Sequence, residues 1–172
     1  MRPMAHLRSL SPVKKNADTP ATLACTNPWR SRMKILLAVD GSPYTKKMLA
    51  YLVTHDDTFS KASEYTLFTA HTPLPVRARS MLGKDLVDNY HAEESERVLA
   101  PVSKFLLRHG IDAKSAWKVG PAGEAIAKFA DAGKFDLLMM GSHGHGALAN
   151  LVMGSVATQV LAHCRVPVLL VR

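Results

Sequence analysis

Met140-Gly141-Ser142-His143-Gly144-His145-Gly146-Ala147-Leu148-Ala149-Asn150-Leu151-Val152-Met153-Gly154-Ser155-Val156 lies between an apolar run, Phe135 to Met140, and a segment of helical character, Val156 to Cys164. The run reads as a buried strand, so the stretch reads as a passage from strand to helix. Its spacing is G-x2-G-x9-G-S. Glycine tolerates positive φ and lets main-chain N–H groups come close to a bound group. Ser155 falls where the helix begins. Its hydroxyl is placed either to cap the first turn or to meet a phosphate, and the helix dipole there favours negative charge. A phosphate cradle is the chemical reading and a wide surface loop with turn glycines the plain one; three glycines alone do not decide between them.

A second stretch, about a hundred residues upstream, points the same way. Met33-Lys34-Ile35-Leu36-Leu37-Ala38-Val39-Asp40-Gly41-Ser42-Pro43 is a short apolar run ending in an acid, then a glycine, an N-cap serine and a proline suited to the first helical position. Between the two stretches strands and helices alternate. Strand one is expected over Lys34 to Val39 and helix one over Pro43 to His55, with Met48, Leu49, Leu52 and Val53 on one face. Strand two is expected over Tyr65 to Ala70, a loop over His71 to Gly83, and a long helix over Asp85 to Arg108 closed by Gly110. Pro101 should kink or divide that helix near Leu99, since it removes a hydrogen bond and clashes with the preceding turn. Ala113 to Val119 is strand three, and Gly120-Pro121 opens a helix carrying Ile126 and Phe129. Strand four, the glycine stretch, the last helix and a closing strand, Val166 to Val171, complete the chain. The fold class is α/β, a single open, parallel, five-stranded sheet with helices on both faces and right-handed crossovers. Its ligand crevice lies beyond the carboxyl ends of the strands, at the switch point, which strands one and four should flank.

Taken together, Met33 to Pro43, Gly141 to Ser155 and Val166 to Val171 resemble the universal stress protein family, in the subclass with the nucleotide-binding glycine motif. The resemblance covers Met33 to Arg172. It implies a Rossmann-like, adenine nucleotide alpha-hydrolase-like sheet of strand order 3-2-1-4-5. It also implies ATP, AMP or ADP as ligand, with adenine near Ala38, Val39, Asp40 and Thr72. Ribose and phosphates would run along Met140, Gly141, Gly144, Gly154, Ser155 and Val156. Thr72 departs from the apolar β-branched residue common there. The function implied is a role in stress response or signalling through nucleotide-dependent interaction with a protein partner the sequence does not identify.

Composition bounds this reading independently. The 172 residues suit one domain, and 47% hydrophobic residues are enough for a sizeable core. Of the net charge of +8, residues 1–32 carry +5 and residues 33–172 only +3. The Lys and Arg of the second part are scattered, which argues against a nucleic-acid surface. Residues 1–32 hold Pro3, Pro12, Pro20 and Pro28 without apolar periodicity, and are expected to be a disordered N-terminal extension of a domain spanning residues 33–172. Arg, Ser and few acids also fit an organellar transit peptide, but an arm, or a start placed upstream of a natural one at Met33, fits better. No segment has the length or apolarity of a signal core or a membrane span, so a cytoplasmic protein is the expectation. Cys25 and Cys164 offer no disulfide or metal framework.

Single residues carry a plain role beside the chemical one. Asp40 suits a ribose or a magnesium ion held by phosphates; the plain role is to accept turn N–H groups before helix one. His143 and His145 lack a third ligand and are expected as solvent-facing loop histidines brushing a phosphate. His71 is expected as a structural residue, and Arg77 and Arg79 as solvated loop residues. Met139, Met140 and Met153 read as core filler and adenine packing.

No nucleophile–base pair emerges, so no catalytic residue is assigned. Two further classes of function stay open: a slow ATPase or autophosphorylating enzyme, and an interaction module whose nucleotide is only a structural ligand. Val166 to Arg172 ends the chain as an apolar strand at one sheet edge. A homodimer through that C-terminal edge strand is the expected cover.

Overall fold

The continuous apolar character of Ile35-Leu36-Leu37-Ala38-Val39 is what a strand buried on both faces requires. In the computed structural model, which describes residues 32–146 and 152–172, β1 (Lys34–Ala38) is the central strand of five. The others are β2 (Glu64–His71), β3 (Ala113–Val119), β4 (Leu137–Gly141) and β5 (Val168–Val171), in the order β3-β2-β1-β4-β5. All neighbours pair parallel, with Leu37 opposite Leu67 on one side and Met139 on the other. The expected fold class and strand order are both observed.

Side chains alternate between two cores, as the period of two demands. Ile35, Leu37, Val39 and Met139 meet Met48, Leu49 and Leu52 of α1 (Pro43–Thr54) and Leu99, Val102 and Leu106 of α3 (Lys84–Arg108). Leu36, Ala38, Leu138 and Met140 meet Ile126 and Ala130 of α4 (Ala122–Ala132) and Ala157 and Val160 of α5 (Ser155–His163). Every strand-to-helix passage therefore opens at the same end of the sheet.

Four expectations are corrected. Within the segment expected as a loop, Val76–Leu82 forms a helix, α2, which buries none of its residues; with no apolar stripe facing a core, it left no periodic signal. Pro101 does not divide α3, which runs unbroken through it. The proline is exposed, while Leu99, Val102 and Leu106 anchor the helix on either side of it. β5 begins at Val168, because Pro167 has no N–H for the ladder and contributes only its carbonyl, which accepts from Leu138 N at 2.9 Å. β4 begins at Leu137, and Phe135 is buried ahead of it against the α4 side.

His71 closes β2, and its carbonyl accepts from Gly120 N at 2.8 Å. Burial lowers the pKa of its imidazole, with Glu94 opposing and His91 adding to the shift. The expected arm, except for Arg32, and Ala147 to Leu151 lie outside the described residues. Among the described residues, no helix is long and apolar enough to cross a membrane.

Candidate functional site

Where β1 and β4 part to join α1 and the glycine stretch, their carboxyl ends leave a cavity of about 300 Å³. Ala38, Ala70, Ile126 and Met140 give it an apolar wall, and Asp40, His145 and Ser155 give it polar groups. Val39 lines it although its side chain belongs to the α1–α3 core, so the surface it offers there is main chain. Of the residues singled out from sequence, Ala38, Val39, Asp40, Met140, Gly141, Gly144, Gly154, Ser155 and Val156 are brought together around the cavity. Thr72 is not. It lies exposed beyond the end of β2, and Ala70 supplies that wall instead. Ala70, Thr45, Ala122, Ile126 and Ala157 were missed; each sits within a regular element and away from the glycine stretch and the turn after β1, except Thr45 and Ala157, which follow those by a few residues, and only the assembled sheet brings them to one crevice.

The turn after β1 is built by Asp40. Its Oδ1 accepts from Ser42 N at 2.9 Å and from Thr45 Oγ1 at 2.8 Å, while its own N–H donates to Thr45 Oγ1 at 3.2 Å. Gly41 takes φ 77°, the left-handed region that an acid–glycine turn needs. Ser42 then caps α1 by accepting from Thr45 N at 3.3 Å, with Pro43 at the first turn. The carboxylate is thus divided. Oδ1 holds the turn, the plain role, and Oδ2 faces Gly144, where an added Cβ would come within 2.7 Å of it.

The glycines serve close approach rather than special dihedrals. None of Gly141, Gly144, Gly146 and Gly154 has positive φ, which corrects the conformational half of the cradle reading. A Cβ on Gly141 would lie 2.7 Å from Tyr44 Cβ, so this glycine lets α1 pack on the end of β4. A Cβ on Gly154 would lie 3.2 Å from His143 Cα and 3.3 Å from the Ser142 carbonyl, which already accepts from Gly154 N at 2.9 Å. Gly154 therefore clamps the start of α5 to the end of β4. Gly146 has nothing within 4 Å of its Cβ direction among the described residues and opens on the cavity.

Gly154, not Ser155, is the N-cap of α5, and no side chain caps the helix. Ser155 is its first residue, exposed, with its hydroxyl uncommitted to a cap. The N–H groups of Ser155, Val156 and Ala157 have no carbonyl behind them in the helix, and all three residues line the cavity. Among the described lining residues there is no Lys or Arg; Arg77 and Arg79 lie exposed on α2. The positive potential here comes from main-chain N–H groups and the helix terminus, the donor set that suits an anion.

The two histidines differ. His145 is exposed, and its Nε2 donates to the Asp40 carbonyl at 2.8 Å, tying the glycine stretch to the end of β1. His143 is 7% exposed, which corrects the expectation of a solvent-facing residue. Its Nδ1 shares a 3.0 Å hydrogen bond with Ser142 Oγ, and its ring lies 5.0 Å from that of Tyr44. Among the described residues, no group of three or more His, Cys, Asp or Glu is arranged to hold a metal ion. A magnesium ion at Asp40 would depend on oxygens of the ligand itself. Burial raises the pKa of the Cys164 thiol, which lies outside the cavity lining and is a poor nucleophile.

Known proteins share this sequence pattern and this fold. The chain is 31% identical over 139 residues to a universal stress protein of Thermus aquaticus, covering 80% of this chain and 97% of the relative. It is 30% identical over 139 residues to the universal stress protein Slr1230 of Synechocystis, covering 81% of this chain but only 42% of that longer relative. Among solved structures, MJ0577, a universal stress protein of Methanocaldococcus jannaschii, matches with a TM-score of 0.68 at 26% identity, over 82% of this chain and 96% of that one. A universal stress protein of Archaeoglobus fulgidus solved in complex with dAMP shares the fold, with a TM-score of 0.56 at 20% identity over 81% and 98% of the two chains. The Universal stress protein family profile matches residues 31–172, and the chain belongs to that family.

Proposed function

We propose that this chain binds an adenine nucleotide, ATP or its products ADP and AMP, in the cavity between β1 and β4. The carrying observation is the pairing of an apolar wall, Ala38, Ala70, Ile126 and Met140, with the uncapped start of α5 in one cavity. A flat base fits between apolar side chains, and phosphate oxygens fit the N–H groups of Ser155, Val156 and Ala157. Asp40 Oδ2 is placed for ribose hydroxyls, or for a magnesium ion that the phosphates hold. The dAMP complex of the Archaeoglobus relative supports a nucleotide of this class. Thr72 takes no part in this reading.

Nucleotide occupancy sets which partner the protein engages in stress response or signalling, in the cytoplasm. Hydrolysis is at most slow: His145 Nε2 is committed to a main-chain carbonyl and His143 Nδ1 to Ser142, which favours binding over turnover. The protein acts as a homodimer through β5, an edge strand whose four residues are all only half-buried. Acid extraction of the purified protein, followed by chromatography and mass analysis, should release about one adenine nucleotide per chain. If nothing is released, and calorimetry with ATP, ADP and AMP records no binding, the proposal fails.

A further inference from the structure

α1 and α3 lie side by side on the face of the sheet away from α4 and α5, and they do not close against each other along their whole length. Between them is a second cavity, of about 630 Å³. Leu49, Val98, Pro101, Val102 and Phe105 line it, so its interior is apolar. Val98, Pro101, Val102 and Phe105 follow one another at helical spacing along α3, making a single stripe. Asp40, Thr45 and His145 line both this groove and the first cavity, and so form the wall between two separate spaces.

The charged residues of the groove gather at one end. α1 and α3 each connect parallel strands and therefore run back against the strand direction, starting at the carboxyl end of the sheet. Lys46 stands in the first turns of α1, and Arg97 precedes the apolar stripe of α3 by one residue. Both line the groove at that end. Lys46 makes no ion pair among the described residues, whereas Arg97 holds Glu94 at 2.6 Å. The arrangement is a mouth of mixed charge over an apolar trough, with the Lys46 ammonium its one cation outside an ion pair among the described lining residues and Asp40, whose Oδ1 already accepts from Ser42 N and Thr45 Oγ1, beside it. From Arg97 to Phe105 the trough extends eight residues, about 12 Å at 1.5 Å per residue, roughly the length of an extended chain of ten carbons.

The geometry points to a second ligand site in this groove, for a free medium-chain carboxylate. Its alkyl chain lies along Val98, Val102 and Phe105, and its carboxylate meets the Lys46 ammonium. A neutral amphiphile of equal length keeps the apolar contact and loses the charge pairing, while a nucleotide offers a flat base but no alkyl chain to run along the trough. The size lies within the range of small-molecule sites, as does the combination of apolar walls with few polar groups.

Decanoate, titrated calorimetrically below its micelle concentration into the full-length protein, tests the assignment. One-to-one saturable binding is expected, weaker by about tenfold or more for decanol and for Lys46→Glu. Val98→Trp, which puts an indole into the trough from a half-buried position, should abolish binding while circular dichroism stays unchanged. ATP in excess should not displace decanoate. Absence of decanoate binding, displacement by ATP, or equal binding by wild type and Val98→Trp would each overturn the proposal. A wild-type protein indifferent to decanoate, whose self-association is lost in Val98→Trp, would instead give the groove to a second copy of the chain.

Discussion

Replacing Gly146 with valine probes the nucleotide cavity while leaving the fold alone. The residue is exposed, has no positive φ, and has open space where a Cβ would stand. A Cβ there meets no described protein atom within 4 Å, and the residue lines the cavity assigned to the ligand. The thermal midpoint should stay within about 2 °C of wild type, as for a surface change worth about 0.5 kcal/mol or less. Nucleotide affinity should not survive. Displacing phosphate oxygens from two N–H donors removes two charge-assisted hydrogen bonds at about 1.5 kcal/mol or more each. That is about 3 kcal/mol, or roughly 100-fold in Kd.

Gly154→Ala makes the opposite comparison. Its methyl would press on the His143 and Ser142 backbone at 3.2 and 3.3 Å, where no flexible side chain can yield. Overpacking of this kind costs about 1–3 kcal/mol, so a fall of roughly 2–12 °C in midpoint should accompany any loss of binding. Calorimetry with ATP and thermal denaturation on both variants separate the two effects. A Gly146→Val protein that binds ATP with wild-type affinity would refute the placement of phosphate beside the glycine stretch.

His145→Ala removes the tie to the Asp40 carbonyl at an exposed site; ATP affinity should stay within about tenfold, or 1.4 kcal/mol, in calorimetry, and turnover should remain far below the median enzyme rate of about 10 per second. Stability should depend on pH through His71. Its folded pKa is lowered by burial, so the neutral ring is the folded form and its contribution is complete above the unfolded value of about 6.5; it is lost as pH falls through the folded pKa. Urea midpoints measured from pH 7.5 down to 5 should decline, and less steeply in His71→Gln. Leu37→Ala empties a fully buried position at the centre of the sheet and should cost about 2–5 kcal/mol in urea denaturation. Sedimentation should find a dimer at micromolar concentration, and a monomer there would remove the role given to β5.

How far the sequence reaches depends on whether a feature is local. The apolar runs of β1 and β4 and the turn Asp40-Gly41-Ser42-Pro43 each carry their own cause, so these strands and the cap of α1 were legible in the sequence, whereas the strand order and the nine candidate residues that line the cavity were what the family resemblance implied. α2 was not legible, because a helix that buries nothing has no periodicity to read. Thr72 does not line the cavity, because β2 runs only to His71 and the β2 residue that reaches the crevice is Ala70, two positions back on the same face. The histidines show the limit most clearly. In sequence, His143 and His145 are equivalent members of one glycine-rich stretch. In the fold, the clamp between Gly154 and Ser142 draws His143 inward against Tyr44, while His145, two residues on, reaches across to the end of β1. That difference comes from two long-range contacts, and the second of them, His145 to Asp40, joins two residues of the wall between the first cavity and the groove between α1 and α3. A stretch whose composition suggests an anion cradle therefore does two jobs, presenting the start of α5 to one space and closing off the other.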